Sequence, residues 1–483
     1  RGPHVESAAQ LGVFKLTKLA GAYWRGREDN PQLQRIYGVA FATQSELEAH
    51  LKMLAEAERR DHRKLGEELD LFVFSPLVGP GLPLFTPRGT IIREELERFV
   101  WDLESRYGYE RVQIPHLTKR ELYDTSGHWE KFHDEIFRIR TREGHELAVK
   151  PMNCPHHTQI YAARKRSYRE LPIRYKEVTS VYRDEQTGEL SGLSRVRMIT
   201  QDDAHIFCRM PQIELECLAI WDIVDRFYKK FGMPLRVRFS RHDPAKMKKY
   251  LGTPAIWKQA EDQLRAVIRK RGVEAEDGLG EAAMYGPKID FIANDALGRE
   301  WQLATIQLDF NLPERFGLFC VNEEGKEERI VMIHRAILGA VERFVAILIE
   351  HYAGAFPVWL APVQVALVPV SRKHAIACRK LLNEFRASGI RAVLGDPDET
   401  VGKRIRMYEK LKMPYVIVFG DAEMGIKKKS SDIKDKKGSA KKVVRRAIAG
   451  GLQVRIHGRE RLLATTQKAF IARVRREIER RSN

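Results

Sequence analysis

The sequence predicts an α+β fold: an antiparallel sheet with flanking helices, followed by a C-terminal α/β domain. Three observations lead there. Strand-like runs at 174–182, 195–206, 288–292, 300–310 and 330–333 are mostly not separated by crossover helices, which argues for antiparallel pairing. After Pro357 and Pro362 the pattern becomes strand, helix, strand, helix, strand over 363–370, 372–387, 390–394, 401–412 and 415–419. A chain of 483 residues, 43% hydrophobic, has enough apolar material for separate cores.

In chain order, residues 1–43 mix short apolar runs with Gly and Pro and are not expected to form a domain by themselves. Over 44–71, Leu47, Leu51, Leu54, Leu65 and Leu69 sit among dense charges, which predicts an amphipathic connecting helix. Pro76, Pro80, Pro83 and Pro87 punctuate the entry into a large region, 72–356. There Ile92, Leu96, Phe99, Val100 and Leu103 form one face of a helix over 91–106; Gly108 ends it, and a strand over 109–114 is stopped by Pro115. The last region, 357–483, includes a segment, 427–446, with eight Lys, two Arg and two Asp. It holds +8 of the chain's net +19 on a low-hydrophobicity stretch, which predicts a surface insertion.

The excess of 84 Lys+Arg over 65 Asp+Glu favours a polyanionic partner, nucleic acid first. No run of eighteen apolar residues occurs, so no membrane span is expected, and Arg1-Gly2-Pro3-His4 does not read as the start of a secretory signal. Five scattered cysteines, Cys154, Cys208, Cys217, Cys320 and Cys378, are not a disulfide framework and fit a reducing cytoplasm. A Gly-x-x-x-x-Gly-Lys-Ser/Thr stretch is absent, which excludes a P-loop.

Two constellations carry chemistry. Arg183 and Glu185 end one expected strand and Arg195 starts the next, across a loop containing Gly188 and Gly192. Such a hairpin can aim two guanidiniums at one phosphate-bearing ligand, although by residue type alone the favoured reading is a solvated hairpin with surface ion pairs. Cys154, His205 and His334 have no local zinc-finger spacing; each alone reads as a buried core residue. Convergence of the three would suit zinc with one position open.

Arg183-Asp184-Glu185 and the stretch from His334 to Phe344 resemble motifs 2 and 3 of class II aminoacyl-tRNA synthetases, and 91–115 resembles motif 1. Met152-Asn153-Cys154-Pro155, Gln201 to Phe207, Tyr285-Gly286-Pro287-Lys288-Ile289-Asp290 and Gln307-Leu308-Asp309-Phe310 resemble the threonyl-tRNA synthetase family in particular. The ordered set covers nearly the whole chain. It implies a class II antiparallel sheet over 72–356, an anticodon-binding domain over 357–483, and ligation of L-threonine to threonine tRNA through a threonyl-adenylate.

Residue by residue, the resemblance gives Arg183 to the α-phosphate of ATP, Glu185 to the adenine side, and Arg195 and Arg343 to the γ-phosphate. Gln302 falls near the ribose and the Mg2+ that accompanies ATP. Cys154, His205 and His334 match ligands of one Zn2+ per subunit, and Met152, Asp203, Tyr285 and Gln307 match groups around threonine. Lys288 matches a contact to the activated carboxylate, and His128 a helper in transfer to the tRNA ribose. Glu423 and Arg455 match anticodon contacts, and motif 1 implies a homodimer.

Two positions depart from the family pattern: His156 replaces a glycine beside Cys154, and Ala340 replaces a serine near ATP. Arg1-Gly2-Pro3-His4 and the 14–26 stretch resemble the end of the family's editing domain, so 1–43 is expected to be its remnant, without the hydrolytic site. Serine keeps both of threonine's zinc-binding groups and lacks only a methyl, a difference of ~1–3 kcal/mol, so it is the expected error.

Overall fold

The computed structural model describes residues 4–26, 29–295, 298–426 and 451–482. The chain divides into two compact units, 1–61 and 62–483. In the first, the apolar runs expected to lack a fold of their own pair as an antiparallel hairpin, β1 (Val13–Tyr23) with β2 (Gln32–Phe41). Helix α1 (Gln44–Arg60) follows, its start fixed by a capping box. Thr43 Oγ1 accepts from Glu46 N–H at 3.3 Å, and the Glu46 carboxylate accepts from Thr43 N–H at 2.9 Å. The single helix expected over 44–71 is thus two helices, α1 and α2 (His62–Glu68), broken at Asp61, where the backbone leaves helical ψ.

The second unit is built on an eight-stranded sheet. Its strands are β3 (Glu110–Arg111), β4 (Ile173–Tyr182), β5 (Met198–Cys208), β6 (Arg236–Arg241), β7 (Ala275–Leu279), β8 (Lys288–Asn294), β9 (Glu300–Asp309) and β10 (Val331–Ala340). Their spatial order is β7-β6-β8-β9-β10-β5-β4-β3. The central pairs are antiparallel, as expected; β3/β4 and β6/β7 at the two edges are parallel. The second exception follows from a helix, Pro254–Arg271, which supplies the crossover between β6 and β7.

Three strand expectations need correction, the simplest being 330–333, which runs on to Ala340 as β10. The strand placed over 109–114 is only two residues long, because Ile114 gives its N–H to the Glu177 side chain and Pro115 follows. The strand placed at 195–206 begins at Met198. Arg195 lies instead in the loop, where its guanidinium binds Glu185 and Glu189 and folds the loop on itself.

One sheet face packs on helices, chiefly Ile213–Lys229 and the almost wholly buried Val341–His351, through Ala204, Ile206, Ile289, Ile306, Leu308 and Ile333. That face also buries an ion cluster. Arg335 Nη1 meets Asp202 Oδ2 at 3.1 Å, Lys176 Nζ meets Glu104 Oε2 at 2.5 Å, and Arg335 pairs with Glu104 as well. Asp202 Oδ2 also accepts from Ile337 and Leu338 N–H, both at 3.2 Å, where the β5/β10 register shifts. Removing one partner would strand a buried charge, at a cost of about 3–5 kcal/mol.

The C-terminal part carries a five-stranded sheet. Val365–Pro369 pairs in parallel with Ala392–Leu394 and Tyr415–Phe419; Gly451–Ile456 and Leu463–Thr466 continue it antiparallel. Helices Arg372–Ala387, Val401–Lys410 and Gln467–Arg480 cover it. The Lys-rich segment 427–446 lies outside the described residues.

Candidate active site

Alternation along the central strands aims every second side chain at the other sheet face, and the registers align them in rows. Lys288, Gln307, His334 and His205 form one cross-strand row; Asp290, Thr305, Ala336 and Asp203 form the next. Residues far apart in sequence thereby share one surface.

At its centre Cys154, His205 and His334 converge, with one donor atom from each lying within 4.8 Å of the others. Cys154 reaches them from the first turn of the helix Cys154–Ala162. Burial pushes the Cys154 thiol well above its ordinary value, aided by Asp203 and Asp309, and pushes His205 well down. Each imidazole has one nitrogen already engaged. His334 Nε2 donates to Asp309 Oδ2 at 2.9 Å, and His205 Nδ1 lies 2.8 Å from His157 Nδ1. One thiol and two oriented imidazoles, all buried, are a donor set that fits a zinc-type ion with an open position.

Tyr285 stacks on His334 with ring centroids 4.6 Å apart and donates to Gln307 Oε1 at 2.6 Å. Gly286 permits this approach: a Cβ there would meet Leu308 O at 1.9 Å. Asp203 is held by Asn153 Nδ2 at 3.0 Å, and burial raises its carboxyl. Met152 is buried at the same wall, its carbonyl accepting from Tyr123 at 3.3 Å.

Beside this cluster lies a cavity of about 280 Å³ lined by Arg183, Gln201, Gln302, Gln307, Arg343 and the 338–340 backbone region. Arg343 is pushed down from its ordinary value by burial and by the like charges of Arg183 and Arg195. Arg183 and Arg343 on one cavity wall, with Arg195 nearby in an ion pair with Glu185 and Glu189, offer positive charge to an anion. Arg195 and Glu185 bind each other at 2.6 Å. Lys288 Nζ is 3.0 Å from Asp290, which also accepts from Ser240, Gln302 and Thr305.

Three expected residues stand apart from these walls. His128 is fully buried behind Tyr285, with ring centroids 6.2 Å apart; its Nδ1 lies 2.7 Å from Ser126 Oγ, and burial lowers it to about 3. Glu423 accepts from Gly420 N–H at 2.9 Å, while Arg455 lines a cavity of about 400 Å³ with Glu409, Met413 and His457. Glu423 is not among that cavity's lining residues. Sequence reasoning missed Asp290, Asp309 and His157, although all three lie within or next to the quoted motifs. For the two acids the available signal was a carboxylate two residues from an expected contact, Lys288 or Gln307; for His157 it was an imidazole three residues from Cys154.

Residues 137–352 match the tRNA synthetase class II core domain (G, H, P, S and T), and 364–456 the anticodon binding domain. Residues 1–37 match the threonyl and alanyl tRNA synthetase second additional domain. Threonine–tRNA ligases from Deinococcus deserti and Thermus thermophilus are each 50% identical over 88% of this chain. The crystal structure of the RNA binding domain of threonyl-tRNA synthetase from Cryptosporidium parvum Iowa II superposes with a TM-score of 0.77 at 34% identity, covering 86% of this chain and 97% of that one. The chain belongs to the threonyl-tRNA synthetase family. A putative threonyl-tRNA synthetase from Aeropyrum pernix gives a TM-score of 0.72 at 30% identity, covering 87% of this chain and 96% of that one. The chain spans about 65% of the length of the curated relatives it matches. The class II core with its C-terminal anticodon-binding domain is therefore the fold, and among the described residues no helix is long and apolar enough to cross a membrane.

Proposed function

We propose that this chain activates L-threonine with ATP and ligates it to threonine tRNA, acting as a cytoplasmic homodimer that holds one Zn2+ per subunit and uses Mg2+ with ATP. The observation that carries the reading is the juxtaposition of a Cys/His/His cluster with a cavity lined by Arg183 and Arg343 on one sheet face.

The threonine carboxylate attacks the α-phosphorus in line, and pyrophosphate leaves. Arg183 binds the α-phosphate, Arg195 and Arg343 take the γ-phosphate, and Lys288 holds the carboxylate. Binding the triphosphate relieves the repulsion among the arginines, so catalysis here is positioning and charge neutralisation. Binding requires the Arg195–Glu185 pair to exchange partners, which frees Glu185 for the adenine amine. Zinc held by Cys154, His205 and His334 would supply a Lewis-acid position for threonine's amino and hydroxyl groups. Asp203, Tyr285 and Gln307 complete that polar pocket; valine would leave them unpaired, which a merely apolar pocket could not exploit beyond ~100-fold.

The ribose hydroxyl of the tRNA then attacks the adenylate carbonyl and AMP leaves. For His128 we assign a hydrogen-bonding part in this step, since an imidazole lowered to about 3 is a weak base. Glu423 and Arg455 are assigned to the anticodon. The homodimer rests on the motif 1 resemblance of 91–115, which here covers most of the helix Pro87–Glu104 and the sheet's outer strand Glu110–Arg111.

The test is threonine-dependent ATP–pyrophosphate exchange together with metal content. Cys154→Ala should lose zinc and exchange together, by more than about a hundredfold in kcat/KM for threonine. Full exchange by a zinc-free variant would refute the metal's part, and no exchange or tRNA charging by the wild-type chain would refute the function.

A further inference from the structure

We infer that His157, backed by Glu177, is a positioning residue that fixes His205 in the tautomer able to bind a metal; this rests on reading Cys154, His205 and His334 as a metal site. His157 lies one turn along the helix Cys154–Ala162 from Cys154 and is fully buried. Its Nδ1 is 2.8 Å from His205 Nδ1, with the rings almost perpendicular at 89°. Two ring nitrogens at that distance share a single proton: one is the donor, the other offers its lone pair.

The far nitrogens decide which. His157 Nε2 faces Glu177 Oε2 at 3.9 Å, beyond direct hydrogen bonding, and neither atom has a hydrogen-bond partner among the described residues. Glu177 is held in place on its strand, its Oε1 accepting from Ile114 N–H at 3.2 Å. The carboxylate favours the proton on His157 Nε2, which leaves His157 Nδ1 as the acceptor. His205 must then be protonated at Nδ1, and its Nε2 carries the lone pair a metal needs.

An opposing pull makes this device necessary. Asp203 Oδ1 stands 3.7 Å from His205 Nε2 and favours a proton on that nitrogen, which would block ligation. Without an acceptor at His205 Nδ1, the Asp203 pull prevails. On the other imidazole Asp309 does the equivalent work directly, accepting from His334 Nε2–H and leaving Nδ1 its lone pair. One carboxylate acts in contact; the other acts through a second histidine.

The experiment strips metal from the purified chain and titrates Zn2+ against a chromogenic chelator. His157→Ala should bind zinc about 10–100-fold more weakly. His157→Gln, whose amide oxygen can accept from His205, should recover part of the loss. Glu177→Gln, which keeps an oxygen for Ile114 and removes the charge, should also weaken binding. Equal melting of metal-free His157→Ala and metal-free wild type confirms that the variant folds; if it does not fold, Glu177→Gln decides. Wild-type affinity in both His157→Ala and Glu177→Gln overturns the relay alone. No zinc uptake by the wild-type chain overturns the metal reading, and the relay with it.

Discussion

Asp290 gathers more of the candidate site than any expected residue. It is 2% exposed, accepts from Ser240, Gln302 and Thr305 at 2.7–2.8 Å, and neutralises Lys288 at 3.0 Å. Donors from three strands share one carboxylate, so it sets both the ribose-side amide and the carboxylate-side ammonium. Asp290→Asn retains one acceptor and removes the charge. Buried donors left unsatisfied cost about 1–3 kcal/mol each, so stability should fall by roughly that amount in thermal or denaturant melts. ATP affinity should fall with it as Gln302 is released, while zinc content stays at the wild-type level. Unchanged ATP binding by calorimetry would show that Gln302 is positioned by something else. The expected ligand and phosphate residues were legible only through the ordered family motifs; by type alone each thiol, imidazole and guanidinium reads as core or as a surface ion pair. Asp290, Asp309 and His157 were not, since a buried carboxylate or imidazole acquires its partners only when distant strands come into register.

The loop between β4 and β5 is pinned by an element outside the sheet. His62, at the start of α2, accepts from Leu193 N–H through Nε2 at 3.1 Å. Its Nδ1 donates to Glu350 at 2.7 Å, on the helix that also carries Arg343. The two arginine-bearing elements are thus tied through one buried imidazole. Gly192 allows it: φ is +50°, and a Cβ would meet His62 Nε2 at 2.3 Å and Arg63 Cγ at 2.8 Å. Gly192→Ala should displace His62 from Leu193 and release Arg195. We expect the KM for ATP in pyrophosphate exchange to rise about tenfold, equivalent to ~1.4 kcal/mol, with the threonine KM unchanged. A rise in the threonine KM alone would contradict this coupling. At this scale the sequence was legible where periodicity is sustained: Arg372–Ala387 and Tyr415–Phe419 match their expected bounds. It was not legible at β3 and at the start of β5, where side-chain acceptors and ion pairs take the backbone out of the ladder. Nor were β6 and the helix Gln467–Arg480 among the expected elements; arginines interleave with their apolar residues.

At the scale of the whole molecule, charge is unevenly distributed: the segment 427–446 carries +8 of +19, between the strands Tyr415–Phe419 and Gly451–Ile456. In sequence it falls between two strands of the anticodon-binding domain, whereas the arginine cavity and the Cys/His/His cluster belong to the eight-stranded sheet. We expect its cations to act on tRNA phosphates and to leave adenylate formation alone. Replacing 427–446 with a short Gly/Ser linker should therefore leave threonine-dependent exchange and zinc content unchanged. The KM for tRNA should rise, and the slope of log affinity against log salt should become shallower. The change should be ~0.9 for each duplex phosphate, or ~0.7 for each single-strand phosphate, that the lysines no longer neutralise. The difference between the two forms should shrink as salt is raised, since screening removes from the wild type what the deletion removes outright. Slower exchange at unchanged melting temperature would place the segment's effect at the active site. An unchanged salt slope would mean that its lysines do not neutralise tRNA phosphates.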